Sequence, residues 1–218
     1  IEKGEALAVI GPNGRGKSTF LKLINGIIFP SSGKYLFYGE EINKKKMSDG
    51  LFSRGFHKRV QFVFQNSDAQ LFNSSVYEEI AFGPMQMGLK KEEVKMRVED
   101  CLNFLQIYDL KDRIPYMLSG GEKKKVAIAS VLALNPEVIV MDEPMSGLDP
   151  KTKKFLKELL IKLNQSGKTI ICSTHDFEYV GGIFKRAVVF SNDHRVIRDG
   201  SYDEIISDRI FLEQNNIL

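Results

Sequence analysis

Shortly after its start the chain reads Gly11-Pro12-Asn13-Gly14-Arg15-Gly16-Lys17-Ser18, and Thr19 follows. The segment fits the pattern GxxxxGK[ST], in which glycines let successive backbone N–H groups turn inward and cradle phosphate oxygens. Lys17 has the reach to contact the β- and γ-phosphates of a nucleotide, and the Ser18 hydroxyl is a ligand for Mg²⁺. We therefore predict that residues 11–19 bind a nucleoside triphosphate. On this segment alone, kinases and GTPases remain alternatives.

The residues around this segment predict a strand before it and a helix after it. Ala6–Ile10 is a short apolar run that stops at Gly11, and residues 18–24 have a helical pattern. Such a helix points the positive end of its dipole at the bound anion, which strengthens the prediction of a phosphate site. Continuous apolar runs, rather than alternating ones, are typical of strands buried on both faces of a parallel sheet. Three further runs of this kind occupy residues 60–64, 138–141 and 169–173.

The middle of the chain has a different pattern, which indicates helices. Residues 91–107 carry apolar side chains at helical spacing with charges between them, as in an amphipathic helix. Residues 151–164 form a helical stretch between two strand-like runs, which is a βαβ unit. We predict an α/β fold of the P-loop NTPase class in one domain, residues 1–218. Its mostly parallel core would comprise residues 1–65 and 135–218, with a helical subdomain inserted at 66–134.

Two carboxylates, Asp142 and Glu143, directly follow the apolar run 138–141. Side chains at the carboxyl end of a parallel strand project into the crevice where α/β sheets bind ligands. We predict that Asp142 holds Mg²⁺, directly or through water, and that Glu143 activates the attacking water as a general base. An acidic pair that merely ends a strand is the alternative.

Composition narrows the class of protein. The 218 residues include 31 basic and 28 acidic ones, and the net charge of +3 is too small to indicate nucleic-acid binding. Cys101 and Cys172 have neither CxxC spacing nor a histidine partner, so we expect packed thiols rather than a zinc site. No apolar run approaches the ~20 residues of a membrane span, and the start of the sequence has no signal-peptide pattern. We expect a cytosolic chain that reaches a membrane only through a partner.

A third segment, Leu118-Ser119-Gly120-Gly121-Glu122, precedes a helical run, and here the chain resembles the ABC ATPase family. The segment is similar to the signature motif of that family. Gln65 after an apolar run resembles the Q-loop, residues 146–149 resemble the D-loop, and His175 resembles the switch histidine. With the phosphate loop, these motifs follow the order of the family and cover most of the chain.

The resemblance implies a mechanism in which two cassettes pack head to tail around two ATP molecules. The signature motif of one cassette would face the phosphate loop of the other. Gln65 would sense the γ-phosphate and Mg²⁺ and link to the helical subdomain, while His175 would position the attacking water and the γ-phosphate. Whether the second ABC ATPase subunit is identical to this one stays open. Beyond the phosphate loop, the residues expected to bind ATP are Gln65, Ser119, Gly120, Gly121, Glu122 and Asp149; those expected in hydrolysis are Lys17, Gln65, Glu143 and His175; those expected to hold Mg²⁺ are Ser18, Gln65 and Asp142.

Residues 64–72 and 76–84 resemble one branch of the family, the energy-coupling-factor and cobalt/nickel importer ATPases. This implies an ATPase that powers import of a metal ion or a vitamin. An integral membrane coupling protein and a substrate-binding membrane component would hold it at the cytoplasmic face of the cell membrane. Phe72, Tyr77 and Phe82 would line the docking groove, with ordinary packing as their alternative. A DNA-repair or translation ATPase and a non-hydrolysing regulatory cassette remain alternatives, and no nucleic-acid partner is expected.

Three features depart from the family or need interpretation. The family places an aromatic residue upstream of the phosphate loop to stack on adenine, and the ten residues before Gly11 supply no counterpart. The resemblance therefore implies that the N-terminal β region of the family is missing from this sequence. Arg15 stands where the family usually has a small residue. Its side chain would contact either the phosphates or a dimer interface. We interpret Lys123-Lys124-Lys125 as the solvated face of the signature helix.

Overall fold

The computed structural model describes residues 1–217, apart from the side chain of Glu178, and a six-stranded sheet lies at its centre. The strands in chain order are β1 (Ala6–Ile10), β2 (Leu36–Phe37), β3 (Glu40–Glu41), β4 (Val60–Val63), β5 (Val138–Asp142), β6 (Thr169–Ser173), β7 (Arg186–Phe190) and β8 (Val196–Ser201). The sheet has the order β4-β5-β6-β1-β7-β8, and β2 pairs separately with β3. All neighbours in the large sheet are parallel except β7 and β8.

Helices cover both faces of this sheet. In chain order they are α1 (Lys17–Ile24), α2 (Lys44–Met47), α3 (Gly50–Arg59), α4 (Val76–Gln86), α5 (Lys91–Phe104), α6 (Gly120–Leu132), α7 (Pro150–Gln165), α8 (Phe177–Val180), α9 (Tyr202–Ser207) and α10 (Arg209–Gln214). The central strand β1 is buried along its whole length. Ala8 and Ile10 pack on the side of α4–α7, and Leu7 and Val9 pack on the side of α1 and α3. Both faces of β1 are therefore core, as its continuous apolar run predicts.

The predicted strands agree closely with the structure. The runs 6–10 and 169–173 coincide with β1 and β6, while 60–64 is one residue longer than β4 and 138–141 one shorter than β5. The predicted helix 18–24 begins one residue earlier, at Lys17. The mostly parallel α/β architecture is thus as predicted. The three helices α4–α6 lie between β4 and β5 in the chain, and the boundaries given above for a helical subdomain stay a prediction.

Helix α5 is shorter than the predicted 91–107, for a local reason. It ends at Phe104 because Gln106 adopts a left-handed backbone, with φ of 56°. The N–H of Ile107 then donates to the carbonyl of Leu102 at 2.9 Å, which is the closing hydrogen bond of a Schellman motif. Leu105 and Ile107 are still buried, which explains why the apolar spacing continues beyond the helix.

Two strands of the large sheet, β7 and β8, have no counterpart in the sequence prediction. All six residues of β8 are exposed or half-buried, and Arg198, Asp199 and Gly200 interrupt any apolar pattern. Pairing with β7 makes this segment a strand, and Arg186 on β7 binds the Asp199 carboxylate through two hydrogen bonds of 2.6 and 2.8 Å. Such a partner across the sheet is not visible in the local sequence.

Both cysteines are free and buried, as the sequence predicts: Cys101 lies in α5 and Cys172 in β6. Burial raises the pKa of the Cys101 thiol to about 12, and burial also raises the pKa of the Cys172 thiol. Within residues 1–217, none of the helices combines the length and the apolar character that crossing a bilayer requires.

Candidate nucleotide site

The phosphate loop connects β1 to α1 at the carboxyl edge of the sheet, and two of its glycines are required by the backbone. A Cβ atom on Gly11 would lie 2.7 Å from the carbonyl oxygen of Phe190, which is too close for any side chain. Gly16 is the N-cap residue of α1 with φ of 95°, in the left-handed region that favours glycine. The loop therefore lies tightly against the end of β7 and leads directly into the helix.

The loop forms one wall of a cavity of about 330 Å³, a size that suits a small ligand. The residues that line it are Asn13, Gly14, Arg15, Gly16, Lys17, Ser18, Thr19, Gln65 and Glu143. Within the described part of the chain, the Nε atom of Arg15 is buried and has no hydrogen-bond partner. Residues from the phosphate loop, from the segment after β4 and from the end of β5 thus line one cavity.

Lys17 is buried and its ammonium group lies within the loop. Its Nζ atom donates to the carbonyl oxygens of Gly11 at 2.6 Å and Pro12 at 3.0 Å. Burial lowers the pKa of Lys17, and the nearby carboxylates of Glu143 and Asp142 oppose this shift. The loop therefore presents a positive charge together with its backbone N–H groups.

The two acidic residues at the end of β5 are held by Ser173 of β6, Asp142 through its carboxylate and Glu143 through its backbone N–H. Asp142 and Ser173 are paired in the register of the two strands. The Ser173 hydroxyl donates to Asp142 Oδ1 at 2.6 Å and accepts from the Glu143 N–H at 2.9 Å. Glu143 has φ of 43°, an unusual conformation for a residue with a side chain, and such strain is common at functional sites. The sequence motifs predict no role for Ser173, although its place at the end of the neighbouring parallel strand β6 indicates one.

Three of the predicted residues meet at the Glu143 carboxylate. Gln65 Nε2 donates to Glu143 Oε2 at 3.1 Å, and His175 Nδ1 lies 3.1 Å from the same oxygen. The Glu143 side chain is only 11% exposed, whereas that of His175 is 51% exposed. A carboxylate with two polar neighbours and an open side toward the cavity has the geometry to accept a proton from a bound water.

The donor set fits Mg²⁺. Magnesium takes oxygen ligands in octahedral geometry and usually combines one or two carboxylates with waters and substrate phosphates. Ser18 contributes a hydroxyl to the cavity wall, and the carboxylate of Asp142, 7% exposed, is close enough to the Lys17 ammonium to act on its pKa. Across the described residues, no cluster of three or more His, Cys, Asp or Glu side chains is arranged to hold a metal by itself. Magnesium would therefore depend on these oxygens together with the phosphates of the nucleotide.

The predicted contacts in the signature motif do not line this cavity. Ser119 is the N-cap of α6 and forms a capping box: its Oγ and N–H contact Glu122 Oε2 at 2.7 and 2.8 Å. Those hydrogen bonds lower the pKa of Glu122. A Cβ on Gly121 would lie 3.6 Å from the carboxylate of Asp149, which is the N-cap of α7. The predicted ATP contacts thus form two groups within the chain, one at the phosphate loop and one at the start of α6 and α7.

The interpretation of the three consecutive lysines as a solvated face is wrong for Lys124. Its side chain is buried, at 2% exposure, and Nζ donates to the carbonyl oxygens of Phe64 at 2.9 Å and Gln65 at 2.8 Å. Burial lowers the pKa of Lys124 to about 8, against the attraction of Asp142. Helical spacing could have indicated this, because Lys124 lies on the same face of α6 as the buried Ala127 and Ile128.

The aromatic residues predicted to line a docking groove differ in burial. Phe72 and Phe82 are exposed and contact each other edge to face, with ring centroids 5.0 Å apart. Tyr77 is partly buried and packs against the core of the helical region. Ordinary packing therefore accounts for Tyr77, whereas Phe72 and Phe82 form an exposed aromatic pair.

The strand order, the phosphate loop and the acidic end of β5 define a P-loop NTPase. The family described as "ABC transporter" matches residues 1–146 of the sequence. The chain therefore belongs to the ABC transporter family, and it is an ATP-binding subunit with ATPase activity of that family.

Similar proteins agree with this assignment and with the branch that the sequence resembles. A putative ABC transporter ATP-binding protein of Clostridium acetobutylicum is 66% identical over 218 residues, covering 100% of this chain and 90% of that protein. The nickel import ATP-binding protein LarO of Lactiplantibacillus plantarum is 45% identical over 199 residues, covering 91% of this chain and 83% of LarO.

Solved structures share the fold. CbiO1 from Clostridium perfringens, part of the ABC transporter complex CbiONQ, has a TM-score of 0.83 and 37% identity, covering 100% of this chain and 85% of CbiO1. The ATP-binding cassette MJ0796, a dimer in a post-hydrolysis state bound to ADP and Pi, has a TM-score of 0.83 and 30% identity, covering 92% of this chain and 87% of that one. The predicted resemblance to the energy-coupling-factor and cobalt/nickel importer ATPases is confirmed, because the energy-coupling factor transporter ATP-binding protein EcfA of Methanococcus maripaludis is also 44% identical over 216 residues, covering 99% of this chain and 76% of EcfA.

Proposed function

We propose that this chain powers the import of a transition-metal ion, nickel or cobalt, by hydrolysing ATP at the membrane. The observation that carries this proposal is the 45% identity over 91% of the chain to an ATPase named for nickel import. The residues that recognise the ion would belong to membrane partners: an integral coupling protein and a substrate-binding component. The exposed aromatic pair Phe72 and Phe82 supports a docking site for the coupling protein on the helical region.

The chemistry would be carried by residues at the carboxyl edge of the sheet. The phosphate loop and Lys17 would bind the phosphates, and Glu143 would accept a proton from the attacking water. Gln65 and His175 would orient that water and the γ-phosphate, since both contact the Glu143 carboxylate. Mg²⁺, held by Ser18 with Asp142 and Gln65, would neutralise part of the phosphate charge when bound.

We also propose that two chains act together, head to tail. Ser119, Gly120, Gly121, Glu122 and Asp149 would complete the nucleotide site of the partner subunit. Two observations support this: these residues lie outside the cavity of their own chain, and a related cassette forms a dimer with bound ADP and Pi. The start of α6 offers N–H donors and the positive end of a helix dipole to an anion. The capping carboxylate of Glu122 would have to share those donors with the γ-phosphate.

The proposed substrate can be tested in the organism that carries the gene. We expect that deleting the gene lowers cellular nickel or cobalt, measured by mass spectrometry of washed cells grown in limiting metal. The wild-type gene should restore the metal content, and the Glu143→Gln variant should not. Unchanged metal content combined with reduced uptake of a vitamin would replace the metal proposal with the vitamin alternative. If neither changes, the importer proposal is wrong.

Ser119→Arg is expected to leave ATP binding to a single chain intact and to lower turnover roughly 10²-fold, the scale of losing one donor to a transition-state charge. The reason is that the new side chain would clash with the nucleotide site of the partner subunit. Binding is measured by isothermal titration and turnover by phosphate release.

The matched control for this variant is Ser75→Arg, because Ser75 caps α4 as Ser119 caps α6. Each substitution removes a helix cap, at a typical cost of ~1 kcal/mol in stability, and adds the same side chain. Only the Ser119 variant should lose turnover. Normal hydrolysis by Ser119→Arg would show that the head-to-tail arrangement does not apply to this chain.

A further inference from the structure

Lys124 ties the signature helix α6 to the segment that carries Gln65. Its ammonium group donates to two consecutive carbonyl oxygens, those of Phe64 and Gln65, at 2.9 and 2.8 Å. The Gln70 side chain adds a second tie, since its Oε1 accepts from the Phe64 N–H at 3.2 Å and its Nε2 donates to the Ala127 carbonyl at 3.0 Å. The peptide groups on both sides of Phe64 are therefore fixed from α6.

A third tie lies at the surface end of the same segment. Lys123 Nζ lies 2.6 Å from Asp68 Oδ1, and the Lys123 side chain is only 17% exposed. Residues 64–70 are thus bound to α6 at three successive places. Gln65 follows β4 in the sequence, but it is held by α6 in the structure.

The position of Lys124 is not explained by packing. Burying an ammonium group is unfavourable unless hydrogen bonds and opposite charge compensate, and an apolar side chain would pack at this position without that penalty. The neighbours on the same face of α6, Ala127 and Ile128, are indeed apolar. Core packing therefore does not account for a buried cation at this position. The two carbonyl oxygens that accept its hydrogen bonds indicate that Lys124 holds the segment around Gln65.

We propose that Lys124 is a positioning residue for Gln65. By holding the carbonyls on both sides of the Gln65 Cα, it fixes the backbone from which the side chain reaches Glu143 Oε2 at 3.1 Å. The inference rests on the proposed role of Gln65 at the γ-phosphate. It adds that α6 determines the position of Gln65. A shift of α6 would therefore move Gln65 directly through these hydrogen bonds, although about 53 residues separate Gln65 from Ser119 in the sequence.

The test compares Lys124→Met with a matched variant of Arg97, a residue of α5 whose side chain contacts the other end of α6. Arg97 Nη1 donates to the Ala133 carbonyl at 3.0 Å, so Arg97→Met also removes a cation bound to a carbonyl of the helical region. We expect Lys124→Met to lower kcat roughly 10- to 10²-fold and to leave the Kd for ATP unchanged. A loss of this size is typical when a residue that orients the reacting groups is displaced by a small distance. Arg97→Met should leave kcat unchanged. Lys124→Arg, which retains charge and donors, should recover part of the lost rate.

A double-mutant cycle separates positioning from a general structural role. Gln65→Ala should lower kcat, and adding Lys124→Met to it should lower kcat no further, because Lys124 acts only through Gln65. Independent, multiplied losses in the double variant would overturn the inference, as would a normal kcat in Lys124→Met. A normal kcat in Gln65→Ala would instead overturn the proposed role of Gln65 itself.

A substitute variant covers the case in which Lys124→Met does not fold, as judged by thermal unfolding. Lys124→Gln removes the buried charge and keeps an amide donor, so it enters the same cycle with Gln65→Ala. The same two outcomes decide: no further loss in the double variant supports positioning, and multiplied losses exclude it.

Discussion

Glu143→Gln is expected to lower the rate of ATP hydrolysis by roughly 10²–10⁴-fold, the usual contribution of a general base, while ATP binding survives. The amide has nearly the same shape as the carboxylate but cannot accept the proton of the attacking water. Glu143 lines the cavity, and Gln65 and His175 both contact its carboxylate. Phosphate release in a single turnover measures the rate, and titration with labelled ATP measures binding.

The control for this variant lies at the opposite end of the same strand. Glu137 precedes β5 and pairs with Arg59 at 2.6 Å, so Glu137→Gln removes a carboxylate at a distance from the cavity. We expect normal turnover and a stability loss of at most ~1 kcal/mol, as for an exposed ion pair. Near-normal turnover by Glu143→Gln would remove Glu143 from the role of base.

The same Glu143→Gln protein also tests the dimer. If hydrolysis separates the two subunits, a chain that binds ATP and cannot cleave it should stay paired. Light scattering should then report the mass of a dimer with Mg-ATP and of a monomer without it. A monomer under both conditions would mean that this chain does not pair with itself, and mixing it with a second cassette subunit would be the next measurement.

Lys17→Ala is expected to weaken ATP binding by roughly 10- to 10²-fold, because hydrogen bonds to charged groups contribute ~1.5–3 kcal/mol each. The Lys17 ammonium donates to the loop carbonyls of Gly11 and Pro12, and Lys17 lines the cavity. Removing it takes away the cation of the cavity wall that phosphate loops use for the β- and γ-phosphates. Equilibrium titration with ATP and with ADP gives the two affinities.

Lys22→Ala is the matched control for Lys17→Ala. Lys22 lies on the same helix, α1, with an exposed side chain that does not line the cavity. Its substitution should leave both affinities unchanged, and thermal unfolding should show that neither variant has lost the fold. Wild-type ATP affinity in Lys17→Ala would contradict the assignment of the phosphate loop.

The parts of the fold that sequence predicts are those that local physics determines. Continuous apolar runs identify β1, β4, β5 and β6 because each strand of a covered parallel sheet must be apolar on both faces. The phosphate loop is recognised because its glycines meet a backbone requirement, as the contact between Gly11 and the Phe190 carbonyl shows. Asp142 and Glu143 follow from their place at a strand end.

The parts that sequence did not predict depend on distant partners. Strand β8 exists through its pairing with β7, and Ser173 matters through its register with Asp142. The predicted exposure of Lys124 is wrong because a lysine in a charged run is usually solvated. Its buried position depends on hydrogen bonds to the carbonyls of Phe64 and Gln65, which are distant in the sequence. The roles assigned to individual site residues stay predictions for the variants above to test.

The two buried thiols give the chain its own reporters of local opening. Thiol reagents attack the thiolate, and both burial and a raised pKa suppress that form in the folded protein. Cys172 lies in β6 between β1 and β5, so its labelling requires the sheet to open, whereas Cys101 lies in α5 of the helical region. Labelling rates at the two positions, compared with and without nucleotide, would measure the stability of the two regions separately.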